Sequence, residues 1–191
     1  MNSVLPDPPR TSKAEATRQR LLDLAAELFI EHGYEAVSLR DLALKAGVTK
    51  GAIYGHFRSK GQLLVEVIRT ELETRDGALD LEVAAADPAA MFDLFIHPGS
   101  RELRMLQIDA AAAARHDADV AAGMDELHRT RGSWIVASLG DVEDAETIAF
   151  VISALSAGVG AQESQQRDLP DVEAWRRIVG RMFGRIMREQ S

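Results

Sequence analysis

The stretch Ser38–Lys60, SLRDLALKAGVTKGAIYGHFRSK, decides how the rest of the chain is read. It spells two short helices joined by a tight turn, with a third helix opening at its end. Ser38 is placed to cap the first helix through its hydroxyl. Asp41, three residues on, completes an S-x-x-D capping box and puts negative charge in the first turn. Leu39, Leu42 and Ala43 fall on one helical face. Gly47 stops that helix by entering the left-handed region that a β-carbon disfavours, and Val48 plugs the turn from beneath. Thr49 caps the second helix. There Ile53 and Phe57, four residues apart, face inward and leave Thr49, Lys50, Ala52, Tyr54 and His56 to face out or sideways. A short helix, a glycine turn and a second helix with a polar, basic outer face is how a helix-turn-helix offers a recognition helix to the major groove of DNA.

Outward from this unit the pattern stays helical. Residues 14–32 carry the stripe Leu21, Leu24, Ala25, Leu28 and Phe29, ended by Gly33, with Tyr34 and Val37 closing a small core. Thr17 and Arg18 read as a solvated first turn within reach of phosphate. Ser59 and Gln62 form a second capping box for a long helix through Leu63, Leu64, Val67, Ile68 and Leu72, running to about Gly77 or beyond through Leu79, Leu81 and Val83. Asp87-Pro88 opens a short helix ending near His97-Pro98-Gly99. Further helices run from Ser100 to about Arg115, from Asp117 to about Leu139, from Asp141–Asp144 to about Gln165, and from Pro170-Asp171 to about Arg188. No stretch alternates with period two, so the expected class is all-α with about nine helices.

The chain has 191 residues, a formal net charge of -8 and no cysteine, which excludes disulfides, thiolate metal sites and thiol switches. No apolar run approaches a membrane span and no signal-peptide core opens the chain, so a cytoplasmic protein without membrane contact is expected. The charge is uneven. Residues 1–75 carry 11 Lys/Arg against 10 Asp/Glu, whereas residues 76–191 carry 11 against 20. A near-neutral head holds phosphates on one face while an acidic body avoids coating DNA nonspecifically.

The run Thr17–Val67 resembles the DNA-binding domain of the tetracycline-repressor (TetR) family. The resemblance lies in A-x-x-L-F-x-x-x-G-Y (Ala25–Tyr34), S-L-R-D-L-A (Ser38–Ala43), A-G-V-T-K-G-A-I-Y (Ala46–Tyr54) and H-F-x-S-K (His56–Lys60), in the family's order and spacing. Met1–Ser12 holds Pro6, Pro8 and Pro9 with few apolar anchors, so a disordered arm is expected over 1–13. The resemblance implies a three-helix DNA-binding domain over 14–58 and a helical effector-binding and dimerisation domain over 59–191. It further implies a homodimeric transcriptional regulator, most simply a repressor, that holds a palindromic double-stranded operator and is released by a small-molecule effector. Two positions depart from the family pattern: Gly55 offers no side chain, and Gly61 stands where a helix former is usual.

Contacts with DNA divide into positioning and reading. Ser38, Tyr54 and Lys60 are the positioning candidates, since a capping hydroxyl, a phenol and an ammonium at helix N-termini all meet phosphate. Thr49, Lys50, Ala52 and His56 are the reading candidates: Lys50 suits guanine, and Thr49 or Ala52 a thymine methyl. Arg40 serves either role, and Gly51 allows close backbone approach. For the effector, Phe92, Phe95, Met105, Asp109, Met124 and Trp134 are candidate lining. Asp109 is the only charge between Met105 and Ala114, so it requires a partner, whether protein or a cationic group on the ligand. The uncharged, small-residue run Thr147–Ala161 and the apolar stripe of Val172–Met187 suit a four-helix dimer interface, with Phe150, Ala154, Ala157, Trp175, Val179, Met182, Phe183 and Ile186 as members. His97, His116 and His128 match no metal-ligand spacing, so no metal or cofactor is expected. An enzyme is the rival reading, but neither G-x-S-x-G nor H-E-x-x-H occurs. A helical adaptor whose head binds protein is the other, and the basic face of Lys50, His56 and Lys60 speaks against it.

Overall fold

The computed structural model describes residues 13–77, 98–140, 142–169 and 171–189. Within them the chain forms α1 (Lys13–His32), α2 (Leu39–Lys45), α3 (Lys50–His56), α4 (Lys60–Gly77), a 3-10 turn (Pro98–Ser100), α5 (Arg101–Ala113), α6 (Ala118–Leu139), α7 (Ala145–Ser164) and α8 (Val172–Glu189). No strand occurs among the described residues, as an all-α reading requires. Most of the expected arm, the expected helix from Asp87, the continuation through Leu79 to Val83, His97, and the ligand candidates Phe92 and Phe95 lie outside the described residues. Lys13 is not part of an arm; it opens α1.

The helix ends follow the capping chemistry. Ser38 Oγ accepts from the Asp41 N–H at 3.1 Å, Thr49 Oγ1 from Ala52 at 3.1 Å, and Ser59 Oγ from Gln62 at 3.0 Å. Asp117 Oδ1 takes both the Asp119 and Val120 N–H groups, and Asp171 takes that of Ala174. Between α2 and α3, Gly47 sits at φ +66°, and its N–H and that of Val48 return to the carbonyls of Leu44 and Ala43 at 3.1 and 3.0 Å. That is the paired hydrogen bonding of a helix end that needs one left-handed residue.

Two apolar clusters hold the bundle. The larger runs from Leu21 on α1 through Ile53, Phe57, Leu64 and Ile68 to Leu106 on α5 and Leu127 on α6. The smaller gathers Ile135, Ile148, Ala149, Ile152 and Val179, with Trp134 and Trp175 packed against it. α6 spans both, its 22 residues extending about 33 Å. Arg18, read above as solvated, is half-buried: it donates to Glu66 at 2.6 Å and lies 5.3 Å from the Phe57 ring centre, tying α1 to α4.

Close approach of α4 and α6 explains the odd glycine of α4. A β-carbon at Gly61 would lie 2.8 Å from the Asp117 carboxylate and 2.9 Å from a Val120 methyl; one at Gly123 would lie 2.7 Å from a Val65 methyl. Gly123→Ala therefore forces a stiff β-branched side chain to move. We expect a loss of about 1–3 kcal/mol from overpacking, offset by roughly 1 kcal/mol of helix propensity, read as a lower midpoint in urea unfolding. An unchanged or higher midpoint would mean that the two helices separate freely.

α7 and α5 are joined by a buried ion pair. Arg104 Nε and Nη2 donate to Glu163 Oε2 and Oε1 at 2.6 and 2.7 Å, with the side chains 1% and 5% exposed. Gly160 lets the helices meet there, its missing β-carbon falling 3.3 Å from Arg104 Cβ. By length and composition α7 is apolar enough to cross a bilayer, which corrects the expectation that no run approaches such a span. Its composition answers to packing on α5 and α6 on one side and to an uncovered apolar face on the other. Only a third of its most apolar window is buried.

Candidate nucleic-acid interface and ligand cavity

On α3, Ile53 and Phe57 are fully buried, so the helix is anchored by one edge. Lys50, Gly51, Ala52, Tyr54 and Gly55 stand exposed on the other, beside exposed Thr49 and Arg40. Tyr54 is 48% exposed, and the Lys50 ammonium lies 5.7 Å from its ring centre, so cation and phenol form one polar ridge. His56 is half-buried, its ring centre 6.3 Å from that of Phe57.

The positioning candidates are less available than their residue types suggest. Ser38 Oγ donates to Asp41 Oδ2 at 2.5 Å as well as capping α2. Lys60 turns back from the head of α4: its Nζ donates to the Tyr34 carbonyl at 2.9 Å and sits 4.0 Å from the Tyr34 ring centre. Thr49 spends its oxygen on the cap of α3. Arg58, which the sequence reading passed over, is exposed beside α3 and donates to Asp119 at 3.1 Å. Its partner is 61 residues away, a separation that no local pattern signals.

A second site lies among α4, α5, α6 and α7, a cavity of about 390 Å³. Its described walls include Arg75, Arg104, Ile108, Met124, His128 and Arg131. Of the expected lining that falls among the described residues, only Met124 is there. Trp134 packs on the smaller core, and Met105 is absent from these walls. Asp109 is absent too: its Oδ2 accepts the Tyr34 N–H at 2.9 Å, so the charge that needed a partner finds it in the loop after α1. Of the two partners the sequence left open for Asp109, the one seen is protein, and arginine, not aspartate, supplies most of the charge on the described walls.

Between α7 and α8 an apolar surface remains uncovered. Phe150 is 72% exposed, Ile178 60% and Met182 57%, and Ala154 and Ala157 are exposed beside them. Val179 is not available to a partner, because it is buried in the smaller core, and Trp175 is half-buried against the same cluster. The side chains of Phe183 and Ile186 lie outside the described residues.

Comparison with known proteins agrees with this architecture. Residues 21–67 match the model of bacterial regulatory proteins, tetR family. The transcriptional regulator AcrR of Shigella flexneri is 40% identical over 89 residues, 44% of this chain and 41% of its own, so the chain spans about two fifths of that relative's length. The transcriptional repressor KstR of Mycolicibacterium smegmatis is 30% identical over 144 residues, 71% of each protein. In overall fold, Salmonella enterica GusR superposes with a TM-score of 0.69 over 94% of this chain and 100% of its own, at 19% identity. With the helix-turn-helix, its glycine turn and a likeness to KstR that continues far beyond that unit, the chain belongs to the tetR family of bacterial regulatory proteins.

Proposed function

We propose that this chain is a transcriptional repressor that grips a palindromic operator as a homodimer and lets go when a small molecule fills the cavity of its helical body. The observation that carries the reading is the exposed ridge of α3, Lys50 to Tyr54, opposite the fully buried Ile53 and Phe57. A helix so anchored presents its outer face to the major groove without distorting its own core. Thr49, Lys50, Ala52 and His56 read bases, and Tyr54 and Arg40 meet backbone; Ser38 and Lys60 join them only by exchanging their present partners for phosphate. The domain division at residue 58 is part of the same reading, with α1–α3 as the DNA-binding head.

Two heads must sit about 34 Å apart to enter successive grooves on one face of the duplex. The uncovered apolar surface of α7 and α8 is the means by which two chains set that distance. The cavity, at the small end of the roughly 300–1,000 Å³ range of ligand sites, is the effector's place.

The test is a gel shift with DNA selected from a random pool, repeated across salt concentrations. Binding should fall steeply with salt, and Lys50→Ala should weaken it by about 1–3 kcal/mol while relaxing the base preference opposite that position. Shallow salt dependence with no effect of Lys50→Ala would instead favour a head that binds protein.

A further inference from the structure

Tyr34 is one of the residues through which the three-helix head meets the remainder of the bundle. It lies in the loop between α1 and α2, 4% exposed, and is held at three points. Its N–H donates to Asp109 on α5 at 2.9 Å, and its phenol donates to Asp117 at the start of α6 at 3.0 Å. Its carbonyl accepts from Lys60 at the start of α4 at 2.9 Å. Burial, and after it the bond to Asp117, push the phenol's pKa up, so the hydroxyl stays a donor at neutral pH. Packing alone does not call for this arrangement, since phenylalanine would fill the same core volume against Phe29.

We propose that Tyr34, clasped by Asp109 and Asp117, is the positioning residue that fixes the pose of α3 relative to α5 and α6, and that occupancy of the cavity reaches the head through this clasp. The same two helices that clasp Tyr34 also wall the cavity. Gln107 and Ile108 line it directly before Asp109, and Ala121 and Met124 line it one to two turns after Asp117. Coupling needs an element with two discrete arrangements that both sites bias. Here that element is a tyrosine bonded to both carboxylates or released from one. When α5 or α6 shifts around an occupant, the gap between the carboxylates changes, and Tyr34 either follows, carrying the head with it, or gives up a bond. Arg58 to Asp119, and the tight seat of Gly61 on Asp117, keep the start of α6 in step with the head. The inference deepens the reading of α3 as the DNA-binding helix, but its test contains no DNA, so the two fail separately.

Because the chain has no cysteine, Leu44→Cys on α2 and Ala137→Cys on α6 give unique, exposed sites for spin labels. Pulsed electron paramagnetic resonance, with labelled chain diluted in unlabelled chain, reads the head-to-body distance. We expect one narrow distance in the parent. Tyr34→Phe/Asp109→Ala should broaden it about twofold with helix content unchanged, while Asp109→Asn, which keeps an acceptor, should retain the narrow distance. Ala121→Leu, filling the cavity from α6, should shift the distance by about 2 Å in the parent and not in the Tyr34→Phe/Asp109→Ala background. An equally narrow distance in the double variant, or the same shift with and without the clasp, overturns the proposal. Should the double variant lose helix, Tyr34→Phe alone decides it in the same two ways.

Discussion

Glu163→Ala lowers the free energy of unfolding by about 3–5 kcal/mol, the expected consequence of breaking a buried ion pair by removing one partner. Arg104 is 1% exposed, and it loses the carboxylate that meets its guanidinium at 2.6 and 2.7 Å. The guanidinium stays buried but loses its bidentate counter-charge, and with it the interaction that offset much of its desolvation cost. The loss would appear as a lower midpoint in denaturant at unchanged slope, because the surface exposed on unfolding hardly alters. Replacing both partners by apolar residues, Arg104→Met with Glu163→Leu, should recover much of it, since a well-packed apolar pair is often as stable as the ion pair it replaces. A change below about 1 kcal/mol for Glu163→Ala would mean that the α5–α7 contact is held by its apolar surroundings and that the pair adds little.

If two chains pair through α7 and α8 on a DNA operator as proposed, Phe150→Asp leaves monomers at micromolar concentration, and operator affinity falls by at least about a hundredfold, or about 2.8 kcal/mol. The ring is 72% exposed in the isolated chain, so the substitution costs the monomer fold little. In the proposed dimer the same position is covered, and an unpaired carboxylate is costly to bury there. Each head then binds its half-site alone and loses the millimolar effective concentration that linkage to a bound partner provides. Sedimentation measures the first effect and a gel shift the second. A Phe150→Asp chain that stays dimeric would move the interface away from α7.

How far these sites were legible in the sequence depends on the range over which their signals act. Caps and turns are local: Ser38, Thr49, Ser59, Asp117 and Asp171 each lie within three residues of the N–H groups they satisfy, so their helices start where the residue types indicate. The buried edge of α3 was readable for the same reason, because Ile53 and Phe57 repeat at helical spacing. Asp109 shows where local reading stops. Its isolation in an apolar helix announced the need for a partner, yet that partner is 75 residues away in sequence. Asp117 to Tyr34 and Arg104 to Glu163 span 83 and 59 residues, and no periodicity records such pairings. Gly61 and Gly160 carry no local signal of their role either: each makes room for another helix of the same chain. Val179 belongs with them, since a single apolar stripe on α8 serves both the interior and the uncovered surface.

Gly55 carries a different implication. It lies on the exposed side of α3 with nothing within 4 Å of where a side chain would begin, and its backbone is ordinary helix. Substitution there collides with nothing in the fold and gains helix propensity of up to roughly 1 kcal/mol. On the DNA-reading assignment of α3, this is a blank letter: one codon change would add a base contact without disturbing the scaffold, so target preference can drift by gain at Gly55 before any existing contact is surrendered.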